Sequence, residues 1–446
     1  MTSLSQAIGA FVAATAFEEI PPDVVLRAKV SLAHNLAMAI AGRAREQVGQ
    51  AAAKRFWAEP REASLLHDGT RVSVAAAALA NAALMHARSQ DDTHPGSTSH
   101  PGGAVMPAAL AIAELQGASG RAFLAAVILG YEALFRVGRD HHEAITARGF
   151  RAAGVLGGFG AAAACARLLG LSGEETAHAL GLAAHLAGGL SQVWREGSDE
   201  WPFQLGFAAQ NGILGARLAM AGATAGREIL EGSGGFFRAY AGDAAARDRS
   251  FAPQWGFRDV TVKAFPVCAI LQGPLHATLR LARARAIDAT QVAGVALVLN
   301  PYEADYPGVD NAGPFASNTA TKMSAQFSLA VALIERRLTM DDLYRFGDAR
   351  ICDFAGKVRV VRDPAVALRE SRVRVELADG TVLEDQIDAA VGQPIFAEMA
   401  GFCAMLAGEI GTEPRAFDAM LEAVDAIDAA PDVRGLVAAV TGAGHT

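Results

Sequence analysis

The sequence predicts a mostly α fold, a large all-helical domain with a smaller α+β lid domain inserted before the C-terminal helices. Three observations carry that expectation. Long apolar stretches recur at helical spacing from the N-terminus to about residue 250. Alternating, β-branched segments are confined to the stretch that follows. The end of the chain then returns to helical spacing. These shifts place the helical domain at 1–255, the α+β domain at 256–393, and the returning helices at 394–446. A chain of 446 residues exceeds one ordinary core, which agrees with a divided architecture.

Taken in order, the segments DVVLRAKVSLAHNLAMAIAG, RAFLAAVILGYEALFRVGRDH and VLGGFGAAAACARLLGL are apolar almost all round. Helices of that kind are buried on most faces. Gly42, Gly170, Ser172-Gly173 and Gly222 punctuate helix ends. The 46 glycines, with abundant alanine, point to helices packed closely through small residues. The character changes near Phe251. RDVTVKAFP at 258–266 alternates like a short strand, and VAGVALVLN at 292–300 is strand-like. The stretches 356–363 and 371–388 also read as strands, the second folding on itself at Asp379-Gly380. Helices are expected at 268–287 and 320–336, and a small polar tail closes the chain.

Composition narrows the function. A net charge of -8 gives no footprint for nucleic acid. Cys165, Cys268, Cys352 and Cys403 are scattered without metal-ligand or disulfide spacing, so no metal, cofactor or disulfide framework is expected. The start lacks the basic region of a signal peptide. No apolar run reads as long enough to span a bilayer. A reduced, cytoplasmic protein is the expectation.

The chemistry concentrates in Asp91-Asp92-Thr93-His94-Pro95-Gly96-Ser97-Thr98-Ser99-His100-Pro101-Gly102-Gly103. Glycine and proline make this stretch a loop, and polar loops on apolar scaffolds tend to carry function. His100 titrates near neutrality and suits an acid or base, with His94 a weaker candidate. Asp92 orients a histidine or binds a substrate ammonium, the alternative being a cap for the following turn, and Thr93 offers a hydroxyl. Lys263 is one of only five lysines and has apolar neighbours that would desolvate it; the alternative is a lysine reaching the surface. Arg88, Arg148 and Arg151 form a positive set suited to carboxylates, Arg148 and Arg151 being spaced to face the same way. Tyr131 adds a hydroxyl. His141-His142 reads as a solvated helix end, and the glycines of GVLGGFG as helix packing.

Together these residues resemble the MmgE/PrpD family. The likeness rests on Asp91-Asp92-Thr93, His100-Pro101-Gly102, Pro107 and Glu114, Gly130-Tyr131-Glu132, Arg148-Gly149-Phe150, LEGSGGFF at 230–237, and Lys263 to Cys268. It implies a helical domain with an α+β lid, a cleft between them, a homodimer, and metal-free acid/base chemistry beside a carboxylate. Asp92, Thr93, His100 and Lys263 fall on pocket positions of the family. Four positions depart from its pattern: Ser89 stands where the decarboxylases have aspartate and Arg151 where histidine is usual. Trp201-Pro202-Phe203-Gln204 replaces Lys-Pro-Leu-His, and Gln272 replaces a frequent histidine. These departures favour an epimerase acting on an iminodisuccinate-like polycarboxylate, with Lys263 and His100 on opposite faces of the reacting carbon. A lyase resembling 2-methylcitrate dehydratase is the alternative, and a non-catalytic polycarboxylate-binding protein a third.

Overall fold

The computed structural model describes residues 2–242, 255–387 and 391–443. The expected change near Phe251, the far end of the 371–388 hairpin at Asp388 and the last residues of the tail lie outside them. The fold is mostly helical with a small sheet towards the C-terminal end, as expected.

Ala152–Leu168 is the innermost helix, with every residue from Ala152 to Ala166 buried. It is wrapped by Pro101–Gln116, Gly120–Gly138 and Trp201–Met220. The GVLGGFG glycines make that closeness possible, as expected. A Cβ on Gly157 would lie 2.8 Å from that of Ala104, and one on Gly160 2.9 Å from the Gly130 carbonyl oxygen. Pro22–Gly42 has the length and composition of a membrane span, contrary to the sequence reading. However, 83% of its apolar stretch is buried inside the protein, the setting of a core helix.

The sheet has four strands in the order Val358–Arg362, Val292–Leu299, Ser371–Leu377, Val382–Ile387. The first pair is parallel, Val295 facing Val358, and the other pairs are antiparallel. Helices Gln272–Ala284 and Ala325–Glu335 cover the sheet. The stretch 258–266 is not a strand. It makes one bridge, Thr93 to Thr261, and otherwise turns, because Lys263 is drawn into contacts described below.

Two of the apolar clusters among the described residues are large and divide along the fold. The larger runs from Leu4 to Val262 and resumes at Met399, so the last helices complete the N-terminal core. The second surrounds the sheet and takes Val193, Trp194 and Trp201 from the helical side, which locks the two parts together. The returning helices are fastened at Gly120, whose amide donates to the Ala430 carbonyl oxygen at 3.0 Å. A Cβ there would lie 1.9 Å from the Ile427 carbonyl oxygen. Gly120→Ala should therefore force the C-terminal segment outward and cost roughly 1–3 kcal/mol, as overpacking does. Thermal unfolding checks this, and an unchanged Tm would mean the segment adapts freely.

Candidate active site

Helix Val74–His86 ends at His86, and helix Pro101–Gln116 begins just after His100. The loop between them runs inside the protein. Arg88, Gln90, Asp91, Asp92, Thr93 and Ser97 are all nearly inaccessible. The expected loop thus stops at His100, where Pro101 takes the first helical position that proline favours. Gly102 is fixed by closeness: a Cβ would sit 2.6 Å from Asp92 Oδ1 and 2.4 Å from Asn35 Nδ2.

Asp91 is the hub. His86 Nδ1 lies 2.8 Å from its Oδ2, His100 Nδ1 lies 3.2 Å from its Oδ1, and Lys263 Nζ is 3.8 Å from Oδ1. The tautomers follow from the partners. Arg151 Nη2 donates to His86 Nε2 at 2.6 Å, and arginine can only donate. His86 must then carry its proton on Nδ1 and give it to Asp91. His100 likewise turns Nδ1–H to Asp91, leaving Nε2 as its acceptor. Lys263 also donates to the Ser89 carbonyl oxygen, which Ser89 presents from a left-handed backbone with φ of 56°.

These groups front a single cavity. Its walls include Thr93, His100, Arg151, Lys263, Tyr306 and Arg369. Burial and the Lys263 charge push His100 down to about 4, so its imidazole is neutral near pH 7. Burial also lowers Lys263, opposed by the Asp91 charge. For Asp91, burial acts to raise the carboxyl, but His86 and His100 outweigh it and hold it well below its ordinary value. Arg151 is lowered by burial to about 10 and stays cationic. The cavity therefore offers a neutral base, an ammonium and two guanidinium groups, which suits an anionic ligand.

Of the expected site residues, Thr93, His100, Arg151 and Lys263 line this cavity. Asp92 and Tyr131 do not. Asp92 is buried behind the loop, accepting from Ser31, from the Tyr131 hydroxyl at 2.8 Å and from the Gly102 amide at 2.8 Å. It anchors the turn, the alternative role considered for it. Arg88 points away and pairs with Glu409 at 2.7 Å. Arg148 is exposed and donates to the Ala239 carbonyl oxygen. It cannot face with Arg151, because one ends a helix and the other precedes the next. Arg151 itself is largely engaged, donating to Trp201 O at 2.8 Å as well as to His86. His94 stacks on Phe135 outside the cavity. His141 and His142 are buried rather than solvated, His141 stacked on Phe237 and His142 bonded to Thr98. The sequence reading missed His86, the hub role of Asp91, Tyr306 and Arg369. Only Asp91 carried a signal, as the neighbour of the residue chosen.

His86, Asp91 and His100 offer three ligand atoms within 4.8 Å of one another. The donor set fits a hydrogen-bonded relay better than a metal cage. Both Asp91-facing imidazole nitrogens carry protons, and a metal would have to displace them beside the Arg151 guanidinium. Asp91→Asn tests the relay. An amide cannot accept from both imidazoles and keep both tautomers. Turnover should fall by about 10²–10⁴, the usual worth of a positioned acid or base, while KM moves far less. A folded variant with normal kcat would remove Asp91 from this role.

Comparison with known proteins agrees with the architecture. A family model for the MmgE/PrpD N-terminal domain matches residues 6–264, and one for the MmgE/PrpD C-terminal domain matches 265–400. The cis-aconitate decarboxylase of Aspergillus terreus is 26% identical over 409 residues, covering 84% of this chain and 83% of the relative. The cis-aconitate decarboxylase-like protein oryM of Aspergillus oryzae is 31% identical over 283 residues, covering 59% and 58%. Human cis-aconitate decarboxylase is 32% identical over 199 residues, covering 43% and 40%. With both family domains matched in order over nearly the whole chain, this protein belongs to the MmgE/PrpD family.

Proposed function

We propose that the protein is a lyase that makes and quenches a carbanion beside a carboxylate of a polycarboxylate substrate. One observation carries this reading. His100 and Lys263 both approach Asp91 Oδ1, at 3.2 and 3.8 Å, so an acceptor and an ammonium stand side by side on one wall. That arrangement serves reactions on one face of the substrate. Inversion needs bases on opposite faces, so the epimerase favoured by the sequence departures becomes the second reading.

Two lyase routes share the intermediate, an enediolate spread over the neighbouring carboxylate. In decarboxylation the C–C bond breaks, its electron pair forms the enediolate, carbon dioxide leaves, and Lys263 Nζ supplies the proton to carbon. In dehydration His100 Nε2 takes the C–H proton, the pair becomes the new double bond, and Lys263 protonates the departing hydroxide. Lys263 and Arg151 stabilise the enediolate charge where it develops, at the dry end of the cavity. The relatives named for cis-aconitate decarboxylation make the first route the one to test first.

Proton NMR in deuterium oxide separates the readings. With cis-aconitate, 2-methylcitrate and iminodisuccinate supplied in turn, a lyase yields a new product with loss of carbon dioxide or water. Exchange and inversion of an α-proton with no loss of substrate atoms would instead establish the epimerase.

The pH profile gives a second expectation for the dehydration route. The base is lost as pH falls through its pKa, so kcat/KM should hold until about pH 4, the His100 value. An unperturbed imidazole would give an acid limb near 6.5. A limb at that higher value would mean that His100 is solvated during turnover.

A further inference from the structure

Arg369 is a cavity cation that the chemistry above leaves unused. It lies in the connection between strands Val358–Arg362 and Ser371–Leu377, on the α+β side. Its backbone has φ of 69°, a left-handed conformation unfavourable for a residue that carries a side chain. Such strain persists only where the surroundings enforce it. Here Glu303 enforces it. This carboxylate is 3% exposed and accepts the Arg369 amide at 3.1 Å, while its other oxygen lies 3.6 Å from Arg369 Nε. Asn300, just ahead of Glu303, donates to the Val366 carbonyl oxygen at 2.9 Å and ties down the same connection.

The pairing occupies the Nε edge of the guanidinium. Among the described residues, no acceptor is bonded to its terminal nitrogens. Arg369 also borders a second, small hollow whose wall shares Thr93, Ala269 and Ile270 with the main one. Arg369 thus lines the cavity wall with its terminal nitrogens unbonded to any described acceptor. The reacting groups, in contrast, gather around Asp91.

We propose that Arg369 is a specificity-determining residue, receiving a substrate carboxylate remote from the reacting carbon, with Glu303 as its positioning residue. The proposal rests on the polycarboxylate reading above and deepens it. It makes the site selective for a tricarboxylate over the dicarboxylate that lacks the distal group.

Binding without turnover tests this by titration calorimetry. The probes are propane-1,2,3-tricarboxylate and methylsuccinate, which lacks one terminal carboxylate. The proteins are the wild type, Arg369→Gln, and the double variant Arg369→Gln with Glu303→Gln, which avoids stranding a buried carboxylate. The wild type should prefer the tricarboxylate. Both variants should lose roughly ten- to a hundredfold of affinity for it, the range of one charge-assisted contact, with methylsuccinate unmoved. Variants that keep the wild-type preference, or that weaken both probes alike, overturn the assignment while leaving the lyase reading intact. A wild type that binds neither probe overturns the assignment and the polycarboxylate reading together.

Discussion

A carboxylate with no access to water is expensive unless donors surround it, and Asp91 meets that demand with groups from three separate parts of the chain. His86 comes from a helix end, His100 from the residue ahead of the next helix, and Lys263 from a segment far along the sequence. Each donor must stay in place, or the buried charge is left uncompensated. The same bonds that stabilise Asp91 therefore set the orientation of the groups that face the cavity. Stability and pre-organisation are one requirement at this point of the fold.

The connection across the two cores has the same logic. Gln90 Nε2 donates to the Ala264 carbonyl oxygen at 2.9 Å, and Thr93 and Thr261 exchange backbone bonds at 2.8 Å. The loop on the helical side and the segment carrying Lys263 thus share a short two-sided ladder. It replaces the strand expected at 258–266. A local alternation cannot distinguish a strand from a segment that pairs once and then turns to deliver a lysine.

The helices, the hairpin at Asp379-Gly380 and the return of the chain at its end were legible because periodicity and turn chemistry are local. His100 and Lys263 were legible as residue types in unusual settings. Choosing Asp92 over Asp91 failed for a physical reason. Adjacent residues in an irregular loop point in different directions, and only the packed fold decides which faces the histidines. His86 was hidden because it ends an otherwise apolar helix and looks like a capping charge. Arg369 gave no local sign at all. Its role depends on a left-handed turn held by Glu303, a residue 66 positions away in sequence.

The departures at 151 and 201 read together rather than singly. Trp201 gives its carbonyl oxygen to Arg151 and packs its ring 4.7 Å from His86. The Lys322 ammonium lies 4.8 Å from the same ring, and burial pushes it down to about 7. An aromatic face attracts a cation without adding a charge of its own. Where the family pattern carries lysine, this chain has an indole with the Lys322 cation over its ring, while Arg151 lies over the neighbouring Trp194 ring at 4.9 Å. The positive charge beside the His86 relay is thereby supplied by Arg151, whose guanidinium remains cationic when buried. The relay keeps one fixed tautomer because its outermost member, Arg151, stays protonated and can only donate to His86 Nε2.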